Sequence, residues 1–470
     1  MDDSLQLVID SLQCVIDSLQ QVGDTIYQTV GGNIPAEGSD KNASSNTGLV
    51  IAFIGLLIFA AHLFTEIFSR KRIPDVLLLM VIGLFLGPVF GVVKPEDLGA
   101  VASVFTTITL VIILFQSGTE LNFNTLLNSI RGTAKLTLIN FLVTTIIVAL
   151  LGLIAKLDFL PSLMLGAILG GTSSAVVIPM VGQLKISQKG GTILILESAF
   201  SDVLCIVFAW AFLQAVQSGS MNIGNVLGGI LSSFILATVI GVISAILWSY
   251  VLERVRHVKN SILTTPAFVF IVYGINEWLG FSGAIAALAF GIGMANIDSM
   301  YNGGVVMKKL FKNGEPTKLN ETEKQLFSEV VFLLKTFFFV YIGVSMKFDQ
   351  LIPLLIGLAI AVALFLIRIP IVMLSVHSKK DNIPLEDKVF MSGIVPKGLA
   401  AAVLATIPVQ QGIEGGVMIQ NIVFAVILFS IIFTSILVPV LEKDNAVSRL
   451  YKRCFSPKKD PSIKEILDQE

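Results

Sequence analysis

The dominant pattern along the chain is a series of continuously apolar blocks separated by short polar stretches. Crossing the hydrocarbon core of a bilayer takes a helix of about 20 residues, and most blocks reach that length. Only helices and closed barrels satisfy the backbone in lipid, and these blocks lack the alternation of a barrel strand. The pattern therefore predicts an all-α membrane protein with about thirteen transmembrane helices, over residues 49–68, 75–93, 97–118, 134–155, 161–183, 190–217, 223–252, 262–280, 281–298, 326–346, 352–376, 385–407 and 417–441.

The distribution of Lys and Arg predicts the orientation of these segments. If the N-terminus lies outside, the inner loops and the C-terminal tail hold 25 Lys and Arg residues, whereas the outer side holds 4. Inner loops of membrane proteins carry such an excess of positive charge. We therefore expect a multi-pass protein of the cell membrane with an extracytoplasmic N-terminus and a cytoplasmic C-terminus.

The segments divide the chain into three predicted parts. Residues 1–48 contain the repeat DSLQLVI, DSLQCVI, DSLQQVG, whose apolar stripe indicates a coiled coil or a helix on the membrane surface, followed by a polar linker. A loosely ordered leader is the alternative for this part. Residues 49–441 form the transmembrane domain, and residues 442–470 form a cytoplasmic tail too short for a regulatory domain.

Composition supports a membrane protein and argues against other classes. The 470 residues are 54% hydrophobic and only 14% charged, whereas soluble domains contain about 25% charged residues. A formal net charge of −1 gives no reason to expect a nucleic-acid partner. The cysteines Cys14, Cys205 and Cys454 are far apart and form no metal or redox motif.

Two predicted segments are interrupted in the middle by residues that disrupt helices. The fifth segment contains the run GGTSS (170–174) followed by Pro179, and the twelfth contains Gly393, Pro396 and Gly398. The two lie seven segments apart, an odd number, so they cross the membrane in opposite directions. This arrangement predicts two inverted repeats, 49–217 and 262–441, joined by a connector helix, 223–252. Gly and Pro are frequent in membrane helices, so the matched pair of interruptions, rather than either alone, indicates the midplane site of a secondary transporter.

The prominent ionisable residues inside the apolar segments are five: Glu197, Asp202, Lys335, Arg368 and Lys397. Charges in lipid are costly and usually functional. Glu197 and Asp202 point about 140° apart on a helix, so they cannot share a proton. Arg368 can neutralise one of the acids, and the other can then hold either a proton or a cation. The alternative is that all five residues form structural ion pairs.

A hard monovalent cation requires oxygen ligands. The residues suggest Asp202, Ser198 and the hydroxyl of Thr172 as ligands, together with backbone carbonyls freed by the interruption of the fifth segment.

Four motifs, in order along the chain, resemble those of a known family. IPDVLLLMVIGLFLGP (73–88) is similar to the second helix of the monovalent cation:proton antiporters, in their sodium/proton-exchanger branch, and ESAFSD (197–202) to the sixth. FLIRIP (365–370) resembles the eleventh helix, and VPKGLAAAVLA (395–405) resembles the broken twelfth. The resemblance spans about residues 49–441 and implies the sodium/proton antiporter fold, a homodimer formed through the first-half helices, and an embedding in membrane lipids.

The resemblance also implies roles for individual residues. Asp202 is expected to carry the cation and the proton, and Glu197 and Arg368 are expected to form a structural pair. Ser201 stands where the family usually has Asn, and we expect it to be structural. The expected cation ligands are Thr172, Ser173, Ser198 and Asp202, with Gln116 near an acidic ligand position of some relatives.

Departures from the family pattern leave the cation open. The fifth helix of the family usually contains Thr-Asp-Pro, whereas this chain has Thr172, Ser173 and Ser174. A site with one acid fewer need not favour Na⁺ over K⁺, although Na⁺ is the first expectation. No cofactor is expected beyond the transported Na⁺ or K⁺ and H⁺.

The two buried lysines have open roles. Lys397 is expected to offset the carbonyl dipoles of its own broken segment. Lys335 either neutralises a half-helix end, competes for Asp202, or only contributes to helix packing.

Other classes of protein fit the sequence less well. An ion-coupled symporter of an organic anion also uses crossed broken helices, and Lys335 or Lys397 would then bind the anion. An intramembrane enzyme would need paired catalytic Asp residues, a His–metal cluster or a Ser–His pair, whereas His62 is the one histidine within a predicted segment. A channel would need a filter-like repeat or a pore ring. The sequence therefore favours an antiporter and does not predict an enzyme.

Overall fold

The computed structural model describes residues 55, 59, 74–91, 93, 95–121, 123–218, 223–256, 261–303, 316–348, 350–376, 383–443 and 445–455. The chain divides into two compact units, residues 1–59 and 60–470. In the first unit, only Gly55 and Phe59 are described, and both are helical. The predicted N-terminal repeat and linker (1–48), most of the first segment (49–68) and the end of the tail (456–470) lie outside the described residues.

Every regular element in the described ranges of the second unit is a helix, which confirms the all-α prediction. The helices are α1 Asp75–Leu84, α2 Pro95–Glu120, α3 Phe123–Ile154, α4 Phe159–Ile168, α5 Ser174–Gln183, α6 Gln188–Ser218, α7 Ile223–Arg256, α8 Thr264–Trp278, α9 Gly283–Ala295, α10 Ile297–Gly303, α11 Glu321–Val344, α12 Leu351–Ser375, α13 Leu385–Gly393, α14 Leu399–Gln410, α15 Gly416–Glu442 and α16 Ala446–Phe455. A π-helical turn, Phe85–Val89, continues α1, and a short 3₁₀ turn, Ser261–Leu263, precedes α8.

Six of the described helices are long and apolar enough to cross a membrane: α3, α6, α7, α11, α12 and α15. Shorter apolar helices account for most of the other predicted segments, among them both halves of the fifth segment, α4 and α5, and the second half of the twelfth, α14. The first segment falls mainly outside the described residues, so the total of thirteen stays a prediction.

The two predicted interruptions are real breaks in the helices. Residues 169–173 separate α4 from α5, and residues 394–398 separate α13 from α14. The breaks meet in space, since the backbone N–H of Ser173 donates to the carbonyl of Pro396 at 2.8 Å. Gly398 is required at this contact: a Cβ there would lie 2.0 Å from the Oγ of Ser173. Each break therefore supplies a polar partner that lipid cannot provide.

The helices of the second unit pack in two groups. In the first group, α1, α2, α7, α8, α9 and α11 pack mainly against one another. In the second group, α3, α4, α6, α12, α14 and α15 do the same. Gly118 and Gly291 bring the backbones of α2 and α9 into direct contact, as small residues do in membrane helices. Among the halves of the broken segments, α14 contacts α2 and α11 of the first group.

The start of α11 differs from the prediction, which placed it at residue 326. The helix begins at Glu321 because Asn320 and Glu323 form a capping box, in which each side chain accepts a hydrogen bond from the other residue's backbone N–H. Arg256, the last residue of α7, forms a salt bridge with Glu323 at 2.6 Å. The connector helix is thereby tied to the first turn of α11.

Candidate functional site

A cavity of about 320 Å³ lies between the two groups of helices. Its walls come from α2 and α11 on one side, and from α5, α6 and α14 on the other. The walls are largely apolar, and their polar side chains are Gln116, Ser117, Glu120, Ser173, Ser174, Asp202, Ser328 and Lys335. The cavity therefore combines two carboxylates, one ammonium group and several neutral oxygens in an apolar setting.

Asp202 lies near the middle of α6 and lines this cavity. Its Oδ2 accepts a hydrogen bond from the Oγ of Ser174 at 2.8 Å. Ser174 is the first residue of α5, so the interruption that ends α4 also places this hydroxyl beside the carboxylate. The carboxylate thus has a neutral hydrogen-bond donor and faces a space large enough for an ion and water.

Glu197 has a different environment, although it lies only five residues earlier on α6. Arg368 of α12 donates from Nη1 and Nη2 to the two carboxylate oxygens, at 2.5 and 2.6 Å. Both residues are fully buried. The Nε of Arg368 also donates to the carbonyl of Met391 at 3.0 Å. The guanidinium therefore joins α6, α12 and α13 and gives Glu197 a fixed countercharge.

Lys397 is fully buried where the two breaks meet. Its Nζ donates to the carbonyl of Gly171 at 2.6 Å, and its backbone N–H donates to the Oγ of Ser430 at 2.9 Å. The sequence placed this lysine against the carbonyls of its own broken segment, and the structure instead places its Nζ on the other one. The reason is that the break at residues 169–173 leaves the Gly171 carbonyl outside the helical hydrogen-bond pattern and directed at the crossing.

Of the five predicted cation ligands, three line the cavity and two lie elsewhere in the described structure. Ser173 and Gln116 line it together with Asp202. The Oγ of Ser173 and the Oε1 of Gln116 are buried and accept no hydrogen bond from the described residues. Unpartnered buried oxygens are uncommon in proteins and call for an explanation, such as an ion or a water. These two oxygens and the carboxylate of Asp202 are donors of the kind that a hard cation prefers.

Thr172, Ser198 and Ser201 are buried and connected through hydrogen bonds. The Oγ of Ser201 accepts from the backbone N–H of Thr172 and donates to the carbonyl of Ser198, both at 3.0 Å. The Oγ of Ser198 donates to the carbonyl of Ile195 in its own helix at 2.8 Å. In this conformation Thr172 and Ser198 are absent from the cavity wall. Ser201, a residue of α6, connects that helix to the break through its hydrogen bond with Thr172.

Lys335 lies on the cavity wall opposite α6. Its Nζ is 5.6 Å from the ring centroid of Phe332, within the range of a cation–π interaction. Lys335 and Asp202 therefore line the same cavity.

Four polar residues of the cavity were not among the predicted site residues: Ser117, Glu120, Ser174 and Ser328. Ser174 was noted only as part of the interruption, and its hydrogen bond to Asp202 depends on backbone geometry that spacing does not reveal. Glu120, the last residue of α2, accepts a hydrogen bond from the Nε2 of Gln116 at 3.4 Å. Its position, one helical turn after Gln116, was a signal available in the sequence.

A helical membrane bundle in which two broken segments cross beside a cavity-facing carboxylate defines a secondary transporter of the cation:proton antiporter class. Residues 49–443 match the family described as sodium/hydrogen exchanger, transmembrane. The chain belongs to this family.

Curated relatives are similar to this chain over most of its length, and a solved structure has a similar fold. The chain is 24% identical to Na(+)/H(+) antiporter 1 of Methanocaldococcus jannaschii, over 78% of this chain and 84% of that protein. It is 23% identical to K(+)/H(+) antiporter NhaP2 of Shewanella sp. strain ANA-3, over 81% of this chain but only 64% of that protein. The structure of the sodium proton antiporter MjNhaP1 from M. jannaschii at pH 8 has a TM-score of 0.67 and 21% identity, covering 83% of this chain and 99% of that one.

Proposed function

We propose that this chain exchanges a monovalent cation for protons by alternating access, with Asp202 as the carrier of both. The observation that carries the proposal is the contrast between the two acids of α6. Glu197 is held in a bidentate pair with Arg368, whereas Asp202 faces the cavity with a neutral hydroxyl as its partner. Of these two acids, only Asp202 is therefore placed to change occupancy during a transport cycle.

The cation binds, in this proposal, between the carboxylate of Asp202 and the unpartnered oxygens of Ser173 and Gln116. Ser174 keeps the carboxylate oriented when the site is empty. Thr172 and Ser198 lie outside the cavity wall in this conformation and are candidates for ligands in other conformations of the cycle. Glu120 is the second carboxylate of the cavity wall and attracts cations towards the site.

The cavity supports an assignment of the conformational state. Its lining runs from the centre of α6 to the C-terminal end of α2 and the first half of α11. With the N-terminus outside and the C-terminus in the cytoplasm, as the charge distribution predicts, these helix ends face the cytoplasm. We assign the structure to an inward-facing state of a protein of the cell membrane.

Na⁺ is proposed as the principal cation, with K⁺ as the competing candidate. Relatives named for each ion match this chain at similar identity, and the match to the Na⁺/H⁺ antiporter covers more of the relative. Because the pair Glu197–Arg368 keeps its charge, one cation is exchanged for one proton and no net charge moves. The protein is further proposed to act as a homodimer in membrane lipids.

The organic-anion symporter is disfavoured as an alternative. An anion would have to bind a free ammonium group, but that of Lys397 donates to the Gly171 carbonyl inside the crossing. Lys335, the other lysine considered for anion binding, lines a cavity with two carboxylates, which repel an anion.

The test is ion-driven proton flux in proteoliposomes, with Na⁺, Li⁺ and K⁺ compared for the wild type and for Asp202→Asn. We expect a flux driven by at least one cation that is lost in the variant, while its thermal unfolding stays like that of the wild type. Proton flux in Asp202→Asn near the wild-type rate would refute the role of this carboxylate. Flux driven by an organic anion and by none of the cations would refute the antiporter.

A further inference from the structure

The last described helix, α16, lies directly beyond a membrane-spanning helix. α15 ends at Glu442, and α16 begins at Ala446. Asn445 fixes the connection: its Nδ2 donates to the carbonyl of Val440 at 2.9 Å, and its Oδ1 accepts from the backbone N–H of Ser448 at 3.0 Å. The Oγ of Ser448 donates to the Leu441 carbonyl at 3.1 Å. The start of α16 is therefore held at the level where α15 leaves the apolar part of the bundle.

One face of α16 packs against the protein. Ser448 is buried, and Tyr451 and Phe455 are partly buried on the same side. The neighbouring elements are α13, the first half of the broken twelfth segment, and α15. This contact accounts for about one third of the helix circumference.

The remaining surface of α16 has an apolar sector beside a basic one. At 100° per residue, Ala446, Val447, Leu450 and Cys454 fall on one exposed side. Val447 is 39% exposed and Leu450 is 60% exposed. Arg449 and Arg453 lie on the adjoining side, and both are exposed. An apolar sector bordered by cations, on a helix at the end of a membrane span, is the pattern of a helix that lies in a membrane surface.

We propose that α16 docks on the membrane surface, with its apolar sector among the lipid chains and its two arginines on anionic phospholipid headgroups. The chemistry of the two sectors fits an anionic lipid surface, because such a surface has an apolar layer directly beneath its negatively charged headgroups. The connection at Asn445 keeps the helix within reach of that surface. The contact of α16 with α13 leaves the lipid-facing sector open.

Cys454 provides a site-specific probe of this docking, because it is exposed on the apolar sector. Cys205 is buried, so in full-length protein carrying Cys14→Ser a polarity-sensitive fluorophore is directed to Cys454. The labelled protein is reconstituted in vesicles of phosphatidylcholine alone, or of phosphatidylcholine with phosphatidylglycerol. Quenching by brominated lipid chains reports insertion, and quenching by iodide reports contact with water.

We expect brominated lipid to quench the fluorophore in the anionic vesicles, and iodide to quench it more in the neutral ones. The double variant Arg449→Gln, Arg453→Gln should lower the docking equilibrium by roughly 25-fold, about fivefold for each cation. Lys324→Gln, which removes an exposed charge at the start of α11, is the matched control and should leave the quenching unchanged.

Three results would overturn the proposal. The first is equal lipid quenching in neutral and anionic vesicles. The second is strong iodide quenching in both. The third is protection from both quenchers, which would indicate that a protein surface, such as a second copy of the chain, covers this side of α16.

Discussion

The pair of Glu197 and Arg368 offers the most quantitative prediction. Replacing Glu197 with Gln leaves a buried guanidinium whose remaining described partner is the carbonyl of Met391. Replacing Arg368 with Gln leaves a buried carboxylate without its two hydrogen bonds. Removing one partner of a buried pair costs about 3–5 kcal/mol, so each single variant should unfold at a clearly lower temperature than the wild type.

The double variant separates pairing from general damage. If the two side chains acted independently, the losses would add to roughly 6–10 kcal/mol. Because Glu197→Gln with Arg368→Gln removes both charges together, we expect a loss of only about 1–3 kcal/mol, from hydrogen bonds replaced imperfectly by two amides. The assay is thermal unfolding of purified protein in detergent, with expression level as a second measure.

Asp202→Asn is the matched control for this cycle, because it neutralises another acid of the same helix that has no guanidinium partner in the described structure. It should unfold at a temperature close to that of the wild type. The reasoning fails if the double variant is no more stable than the worse single variant, or if Asp202→Asn destabilises the protein as much as Glu197→Gln.

Three further predictions concern the crossing and the carrier. Gly398→Ala should cost about 1–3 kcal/mol of stability and reduce transport, because its Cβ would collide with Ser173. Gly274→Ala, where a Cβ meets nothing within 4 Å, is the control. Equal effects of the two substitutions on thermal unfolding would refute the proposed collision. Since the proton and the cation compete for one carboxylate, the half-saturating cation concentration should rise as pH falls, by at most about tenfold per pH unit. A half-saturating concentration that stays the same at several pH values would contradict a shared site. Solid-supported-membrane recordings should detect no sustained transport current, and a sustained cation-dependent current that disappears in Asp202→Asn would instead assign Lys335 a second proton.

Much of the fold follows from the sequence because lipid restricts the backbone so strongly. A polar interruption inside an apolar segment requires partners within the protein, and two matched interruptions in oppositely directed segments have each other as the nearest candidates. The contact between Ser173 and Pro396 is of this kind. Helix spacing likewise separates Glu197 from Asp202, which is why two acids so close in sequence have different surroundings.

Other features depend on how the breaks orient individual atoms, and spacing does not determine that. Ser174 reaches Asp202 only because α5 begins at that residue, and Lys397 reaches Gly171 across 226 positions of sequence. Thr172 and Ser198 have suitable oxygens for a cation, but here the Ser198 hydroxyl is used within its own helix. The start of α11 was predictable, since Asn320 and Glu323 have the spacing of a capping box.

The bond between Lys397 and Gly171 has a consequence for the synthesis of the protein. Translation proceeds at roughly 5–20 residues per second, so the 226 positions between the two residues take about 10–45 s to make. During that interval the first interrupted segment has left the ribosome while the Gly171 carbonyl and the Ser173 N–H lack their eventual partners. Exposing such groups to lipid costs several kcal/mol each. The nascent first half therefore has to keep this break beside water or the insertion machinery until the second half arrives. Residues of the twelfth segment, near the C-terminus, then supply the partners that allow the fifth segment to settle fully in the bilayer.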